Sequence, residues 1–475
     1  MTANSASSRP SNVIVFFTDQ QRWDTLGVAG NPTGLTPNLD RMAGRGTFFE
    51  VACASNPVCA PSRSAVLTGR YPTSTGVYRN DKTLPVDVST IGESFQSAGY
   101  RTGYIGKWHL SEKNPVPPED RRGYDTWLAS NILEFTSDAY RTVVYDNDGE
   151  AVELPGYRAD AITDAAIRFI ADNHDQPFFL FISLIEPHHQ NEHDNYPAPE
   201  VYENSYHNGW VPPDLQALGG TTPQHISGYY GQVKRLDECL GRLRDALVSL
   251  ELTDDTIVAY TSDHGSHFKT RNSEYKRSCH DGSIRVPLVF DGPGFSGGRR
   301  VSAPVSTVDL VPTLLDAAGI DIPTEVQGRV LTAIDTETVD EGVLIQVSES
   351  ETGRALRTAR WKYYVVAPEA GDVPSAQNYI EEALYDLDAD PYELDNMIDS
   401  DGHLGITQDL RGKIQRRIKT IEGCDVDIEP RTGHIDRKRY PQTTVRYTGL
   451  RGTRFGHQSA ARVSAYDETA PAALQ

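Results

Sequence analysis

The sequence predicts an α/β protein: a large, mostly parallel sheet flanked by helices, followed by a smaller C-terminal part built on an antiparallel sheet. Three observations carry this. Short apolar runs end repeatedly in acids, amides and histidines, helical periodicity separates those runs, and the texture shifts to short strands and turns after about residue 340. Strands alternating with helices indicate a parallel sheet. Ligands bind in such sheets beyond the carboxyl ends of the strands.

The elements follow in order. Residues 12–17, a β-branched and aromatic run, read as a buried strand that ends in Thr18-Asp19-Gln20. Residues 161–170 carry apolar side chains at helical spacing. Residues 178–185 form a second strand, ending in Glu186-Pro187-His188-His189. Helical spacing returns from Val233 to Leu247, and a third strand, 256–260, ends in Thr261-Ser262-Asp263-His264-Gly265. One polar turn after a strand is ordinary, whereas three at the same end describe a site. A helix is expected over 307–318, starting at Ser306 or Thr307 and stopping at Gly319. Beyond it, 343–347, 354–357, 361–366 and 384–386 read as short strands, with a helix near 410–421. With 475 residues, more than one core is expected. The expected division is an N-terminus without fixed structure (1–10), a catalytic α/β domain (11–340), a C-terminal subdomain (341–450) and a tail (451–475).

Composition narrows the function. A net charge of −21 argues against nucleic acid and anionic membranes as partners. The longest apolar runs fall far short of the roughly 18 residues that span a bilayer. The polar, Ser-rich start lacks the pattern of a secretory signal, so a cytoplasmic location is expected. The five cysteines, 53, 59, 239, 279 and 424, are odd in number and scattered, which fits a reducing compartment rather than a disulfide framework.

The chemistry concentrates in a few places. Cys59 and Arg63 put a soft nucleophile beside a fixed cation, a setting that favours thiolate. Asp19, Gln20, Asp263 and His264 offer oxygen donors suited to a hard divalent cation, with one imidazole that also accepts manganese or zinc. Gly106-Lys107-Trp108-His109 joins a cation to an acid–base group, and an irregular turn is expected there.

The run Cys59-Ala60-Pro61-Ser62-Arg63 through Leu67-Thr68-Gly69-Arg70 resembles the signature of the type I sulfatases, C-x-P-S-R-x-x-x-L-T-G-R, at every fixed position. Gly106–His109, Glu186-Pro187-His188 and Arg285-Val286-Pro287-Leu288 resemble further blocks of that family, in the same order, and the resemblance runs from about residue 11 to 397. It implies an alkaline-phosphatase-like fold. It also implies that a formylglycine-generating enzyme oxidises Cys59 to formylglycine, whose hydrate attacks a sulfate ester beside a metal held by Asp19, Gln20, Cys59, Asp263 and His264. Calcium is the expected ion, with magnesium or manganese as alternatives. By resemblance Arg63, Lys107 and Lys276 stabilise charge, Asp263 accepts the nucleophile's proton, His188 (with Lys276) protonates the leaving group and His109 is the second base. Lys276 fits the register and Arg277 does not; His188 is favoured over His189. Arg22 and His280 are candidates to bind substrate. Gln20 stands where the commonest pattern has a second Asp. The same Asp-Gln/Asp-His set occurs in phosphonate monoester hydrolases, so a phosphonate or phosphodiester hydrolase is the main alternative. Among sulfate esters, a sulfated carbohydrate is expected over a small aryl or choline ester, with the polar segment 189–210 as a sugar subsite.

Overall fold

The computed structural model describes residues 11–334, 341–368 and 373–432. The expectations for residues 1–10 and 451–475, and for a boundary at 340, lie outside the described residues. Among the described residues, ten strands form the main sheet. Its centre is parallel, in the spatial order Thr256–Ser262, Asn12–Thr18, Phe178–Ser183, Arg101–Lys107, Thr126–Ser130. Its flanks are not. Leu288–Asp291 runs antiparallel to Thr256–Ser262, and the hairpin Arg141–Tyr145/Ala151–Pro155 extends the opposite side antiparallel. A tight hairpin connection permits only antiparallel pairing, so the mostly parallel expectation holds for the strands that carry the site.

The central strands are buried on both faces, which is why they read as continuous apolar runs instead of alternating ones. Along Asn12–Thr18, Val13, Val15 and Phe17 enter one core with Ala60, Val66 and Leu310, while Ile14 and Phe16 enter the other with Ile162, Leu236 and Leu240. Helices Arg158–Asp172 and Thr222–Ser249 cover the second face, and Cys59–Thr68 and Leu310–Ala317 the first. The expected strand 178–185 stops at Ser183. The expected helix 307–318 opens with a 3-10 turn, Thr307–Asp309, where the Asp309 carboxylate accepts from the Ser306 N–H (2.9 Å).

Among the described residues the C-terminal sheet has five strands, in the order Val343–Val347, Gly353–Arg357, Trp361–Val366, Asn378–Asp386, Asp427–Glu429. All its pairings are antiparallel except the last. The expected strand 384–386 is the end of a nine-residue one. Glu381 hides it in the sequence: that carboxylate is buried in the strand because Tyr363 and Arg411 bind it (2.8 and 2.6 Å). Helix Leu404–Glu422 packs Leu410, Ile414, Ile418 and Ile421 on this sheet and ends at Gly423 in the left-handed region. Among the described residues no helix is long and apolar enough to cross a membrane.

Buried charge ties the C-terminal sheet to the short helix Asp281–Ile284. Lys362 is fully buried and bridges Asp281 and Glu393 (2.6 Å to the latter), and Arg357 adds a second cation at Asp281 (3.3 Å). Removing one partner of such a pair strands the others without compensation. Lys362→Ala is therefore expected to cost about 3–5 kcal/mol, read as a lowered thermal unfolding temperature; an unchanged temperature would show that this bridge does not hold the C-terminal sheet to that helix.

Candidate active site

Four neighbouring parallel strands deliver polar groups to one edge of the sheet. Asp19 follows Asn12–Thr18, Asp263 and His264 follow Thr256–Ser262, Lys107 closes Arg101–Lys107, and His188 follows Phe178–Ser183. Cys59 opens helix Cys59–Thr68, where the Asn80 side chain accepts from the Ala60 N–H (3.0 Å). Non-glycine residues in the left-handed region recur here: Gln20 (φ 69°) after Asp19, His109 (φ 63°) two residues past Lys107, and Arg277 (φ 69°) after Lys276. Each costs on the order of 1–3 kcal/mol and persists only where the surroundings fix it. His109 bears out the irregular turn expected after Gly106.

An ionic array anchors the site. Asp19 Oδ2 receives Arg63 Nη2 (2.8 Å) and Lys107 Nζ (2.9 Å), and all three side chains are buried. Arg63 also donates to the Lys107 carbonyl (2.9 Å) and the Ser183 hydroxyl (2.7 Å), and its Nε lies 3.5 Å from Asp263 Oδ2. Burial and the Cys59 charge push the Asp19 carboxyl upward, but Lys107, His188 and Arg63 outweigh them and hold it well below the usual carboxylate range. Asp263 goes the other way: burial and the Asp19 and Cys59 charges raise it. The two acids thus differ in proton affinity within one cluster.

Cys59 lies at the centre of a second set. Lys276 Nζ donates to Cys59 Sγ (2.8 Å) and contacts Nε2 of His188 (3.2 Å) and of His264 (3.0 Å). His188 Nδ1 meets the His189 carbonyl (2.6 Å) and His264 Nδ1 the Gly265 carbonyl (2.9 Å). A carbonyl only accepts, so both rings carry hydrogen on Nδ1 and turn an Nε2 lone pair to the site. Burial would raise the Cys59 thiol, yet Lys276, Lys107 and His264 bring it well below its ordinary value. Burial, then Lys276, lowers His188.

The residues also fit a divalent cation. Donor atoms of Asp19, Cys59, Asp263 and His264 lie within 4.8 Å of one another, all buried. Gln20 spends its amide N–H₂ on Tyr196 (3.0 Å), leaving Oε1 buried without a partner; Asp263 Oδ2 is also without a hydrogen bond. Orphaned buried oxygens are rare without a purpose, and a cation touching both would satisfy them.

Two expected residues point elsewhere. Every N–H of the Arg22 guanidinium is taken, by Asp24 (2.8 and 2.6 Å), Asp214 (3.1 and 2.9 Å) and the Ser266 carbonyl (2.7 Å), so none is left for a ligand. His280 turns to the C-terminal sheet, its Nε2 3.2 Å from the Tyr385 hydroxyl. Arg277, set aside on register, pairs with Glu349 (2.7 Å) while Lys276 enters the cluster. His189, set aside as a spectator, stacks on His188 and Tyr275, with ring centroids 4.3 Å apart in each case. Sequence reasoning missed Glu134, which binds Lys107 (2.8 Å), and the brace of His267 and Asn272 on the Lys276 carbonyl (3.0 and 3.1 Å). None of these belongs to a motif.

Residues 11–320 match the sulfatase family and residues 274–420 the N-sulphoglucosamine sulphohydrolase C-terminal family. The chain is 32% identical over 436 residues to an ulvan-active sulfatase of Formosa agariphila, covering 86% of this chain and 81% of that protein. It is 27% identical to a choline-sulfatase of Rhizobium meliloti, with 82% of each covered. A solved structure from the metabolism of multiple glycosaminoglycans by Bacteroides thetaiotaomicron, 23% identical, superposes with a TM-score of 0.76 over 87% of this chain and 97% of that one, which establishes the shared fold.

If the orphaned oxygens serve a cation, adding calcium or magnesium should raise thermal stability, by about 2.7 kcal/mol at a hundred times the dissociation constant. Gln20→Ala and Asp263→Ala should reduce that gain. A full gain in both variants would place the ion elsewhere.

Proposed function

The chain belongs to the sulfatase family and is a sulfuric ester hydrolase, and we propose that its substrate is a sulfated carbohydrate cleaved at the Cys59 cluster. The observation that carries the site assignment is the convergence of Lys276, His188 and His264 on Cys59, the first residue of the full signature motif. The ulvan activity of the Formosa relative supports a polysaccharide-derived substrate. We further propose that Cys59 is matured to formylglycine by a formylglycine-generating enzyme, that the cation is calcium, and that the protein works in the cytoplasm.

A hydrated aldehyde at position 59 would supply an oxygen nucleophile on a carbon able to expel sulfate, and a cation, which Asp19, Gln20, Asp263 and His264 would hold, would supply positive charge for the sulfuryl group. The chain's own groups do the rest. Arg63 and Lys107 neutralise Asp19, so that a further anion can enter the cleft. Lys276 presents a positive charge to the same space. Lys276 Nζ donates toward the Nε2 lone pair of His188, and the proton of that contact is the one available to a departing alcohol. The His189 carbonyl holds the His188 ring in place through Nδ1. Gln20 and His264 keep the phosphodiester reading as the alternative, since one carboxylate fewer leaves the cation more positive towards a phosphoryl group.

Two outcomes test this. Mass analysis of active protein should find the Cys59 peptide ~18 Da lighter than the thiol form; full activity with the thiol intact would end the maturation proposal. His188→Ala should slow sugar or alkyl sulfates by about 10²–10⁴ and nitrophenyl sulfate much less, because a good leaving group needs little protonation. Equal losses on both would take His188 out of the acid role.

A further inference from the structure

We propose that Glu134 is a positioning residue whose carboxylate holds Lys107 with one oxygen and His109 with the other. The inference rests on the sulfatase reading of the site and goes beyond its motifs. Glu134 lies in the short helix Leu133–Thr136, is 6% exposed, and receives Lys107 Nζ on Oε1 at 2.8 Å. Its Oε2 is buried with no hydrogen-bond partner, and so is Nδ1 of His109.

The backbone sets these two complementary orphans in neighbouring segments. Lys107 pairs with Ser130 in the parallel register, Trp108 N donates to the Ser130 carbonyl (2.9 Å) and His109 N to the Asn131 carbonyl (2.6 Å). Gln190 Nε2 grips the Glu134 carbonyl (3.1 Å), fixing the helix over the site. A buried acceptor and a buried donor left apart are each costly. One link between them, direct or through a shared water, would satisfy both. Burial would raise the Glu134 carboxyl, but Lys107 and then His109 bring it below its ordinary value, so it stays an anion.

With Nδ1–H committed to Glu134, His109 keeps Nε2 for the Cys59 side. A carboxylate that fixes the tautomer and orientation of a working imidazole is a common supporting device, and its loss typically costs about 10–100-fold. No motif flags Glu134, because nothing in the sequence says that a helix 25 residues after His109 folds back onto it.

The test is a double-mutant cycle of wild type, E134Q, H109A and the pair, assayed on nitrophenyl sulfate. Gln keeps an oxygen for Lys107, whose charge Asp19 still faces at 2.9 Å, but turns an amide N–H₂, which cannot accept, toward His109 Nδ1–H. E134Q should lower kcat by about 10–100-fold with KM changed less than about threefold. In the H109A background the same substitution should change kcat by about threefold or less. Equal factors in both backgrounds would overturn the proposal. Thermal unfolding of the four proteins repeats the cycle without turnover: non-additive shifts are expected, and additive ones count against it. Should E134Q not fold, Glu134→Asp, which retains the charge, replaces it in both cycles. A wild type silent on sulfate esters would instead fault the sulfatase reading, with the thermal cycle still deciding the Glu134–His109 link.

Discussion

Asp19 carries two buried cations at once, and the site depends on that pairing. Arg63 comes from the signature helix and Lys107 from a strand two places away in the sheet, yet both end within 2.9 Å of one carboxylate oxygen. Three charges taken out of water are tolerable only if they compensate one another. That requirement locks the helix start, and with it Cys59, against the strand ends. It also explains why the left-handed residues are retained nearby, since the ionic array over-determines the backbone around them.

The same array resolves the apparent conflict between an acidic protein and an anionic substrate. The net charge of −21 is spread over the chain, whereas Arg63, Lys107 and Lys276 meet in a low-dielectric cleft. There their field is felt at short range, while the surface charges are screened within about 8–10 Å by salt. The carboxylates of Asp19, Asp263 and Glu134 oppose them directly. Asp19 and Glu134 are each bound to Lys107, and Asp263 lies 3.5 Å from Arg63 Nε.

Much of this was legible in the sequence, and for a physical reason. Parallel strands buried on both faces must be apolar throughout, so Asn12–Thr18, Phe178–Ser183 and Thr256–Ser262 stand out, and whatever follows them falls on one edge of the sheet. Asp19, His188, Asp263 and His264 were found in that way. Glu134, His267 and Asn272 were not, because their contacts depend on how loops fold back, which periodicity does not encode. Arg22 was misjudged for a related reason: its partner Asp214 lies 192 residues away, and only the fold shows that the guanidinium is already occupied. The strand Asn378–Asp386 was cut short because its buried Glu381 looks polar until Tyr363 and Arg411 are placed beside it.

The choice of ester is where the account stands or falls, because Gln20 and His264 leave the scaffold compatible with phosphorus as well as sulfur. The most direct measurement is kcat/KM on a sulfated oligosaccharide and on a phosphate diester, made on one preparation of metal-loaded, matured protein. The account predicts that free sulfate is released with the higher kcat/KM. A higher value for the phosphate diester, with little or no sulfate liberated, would contradict it.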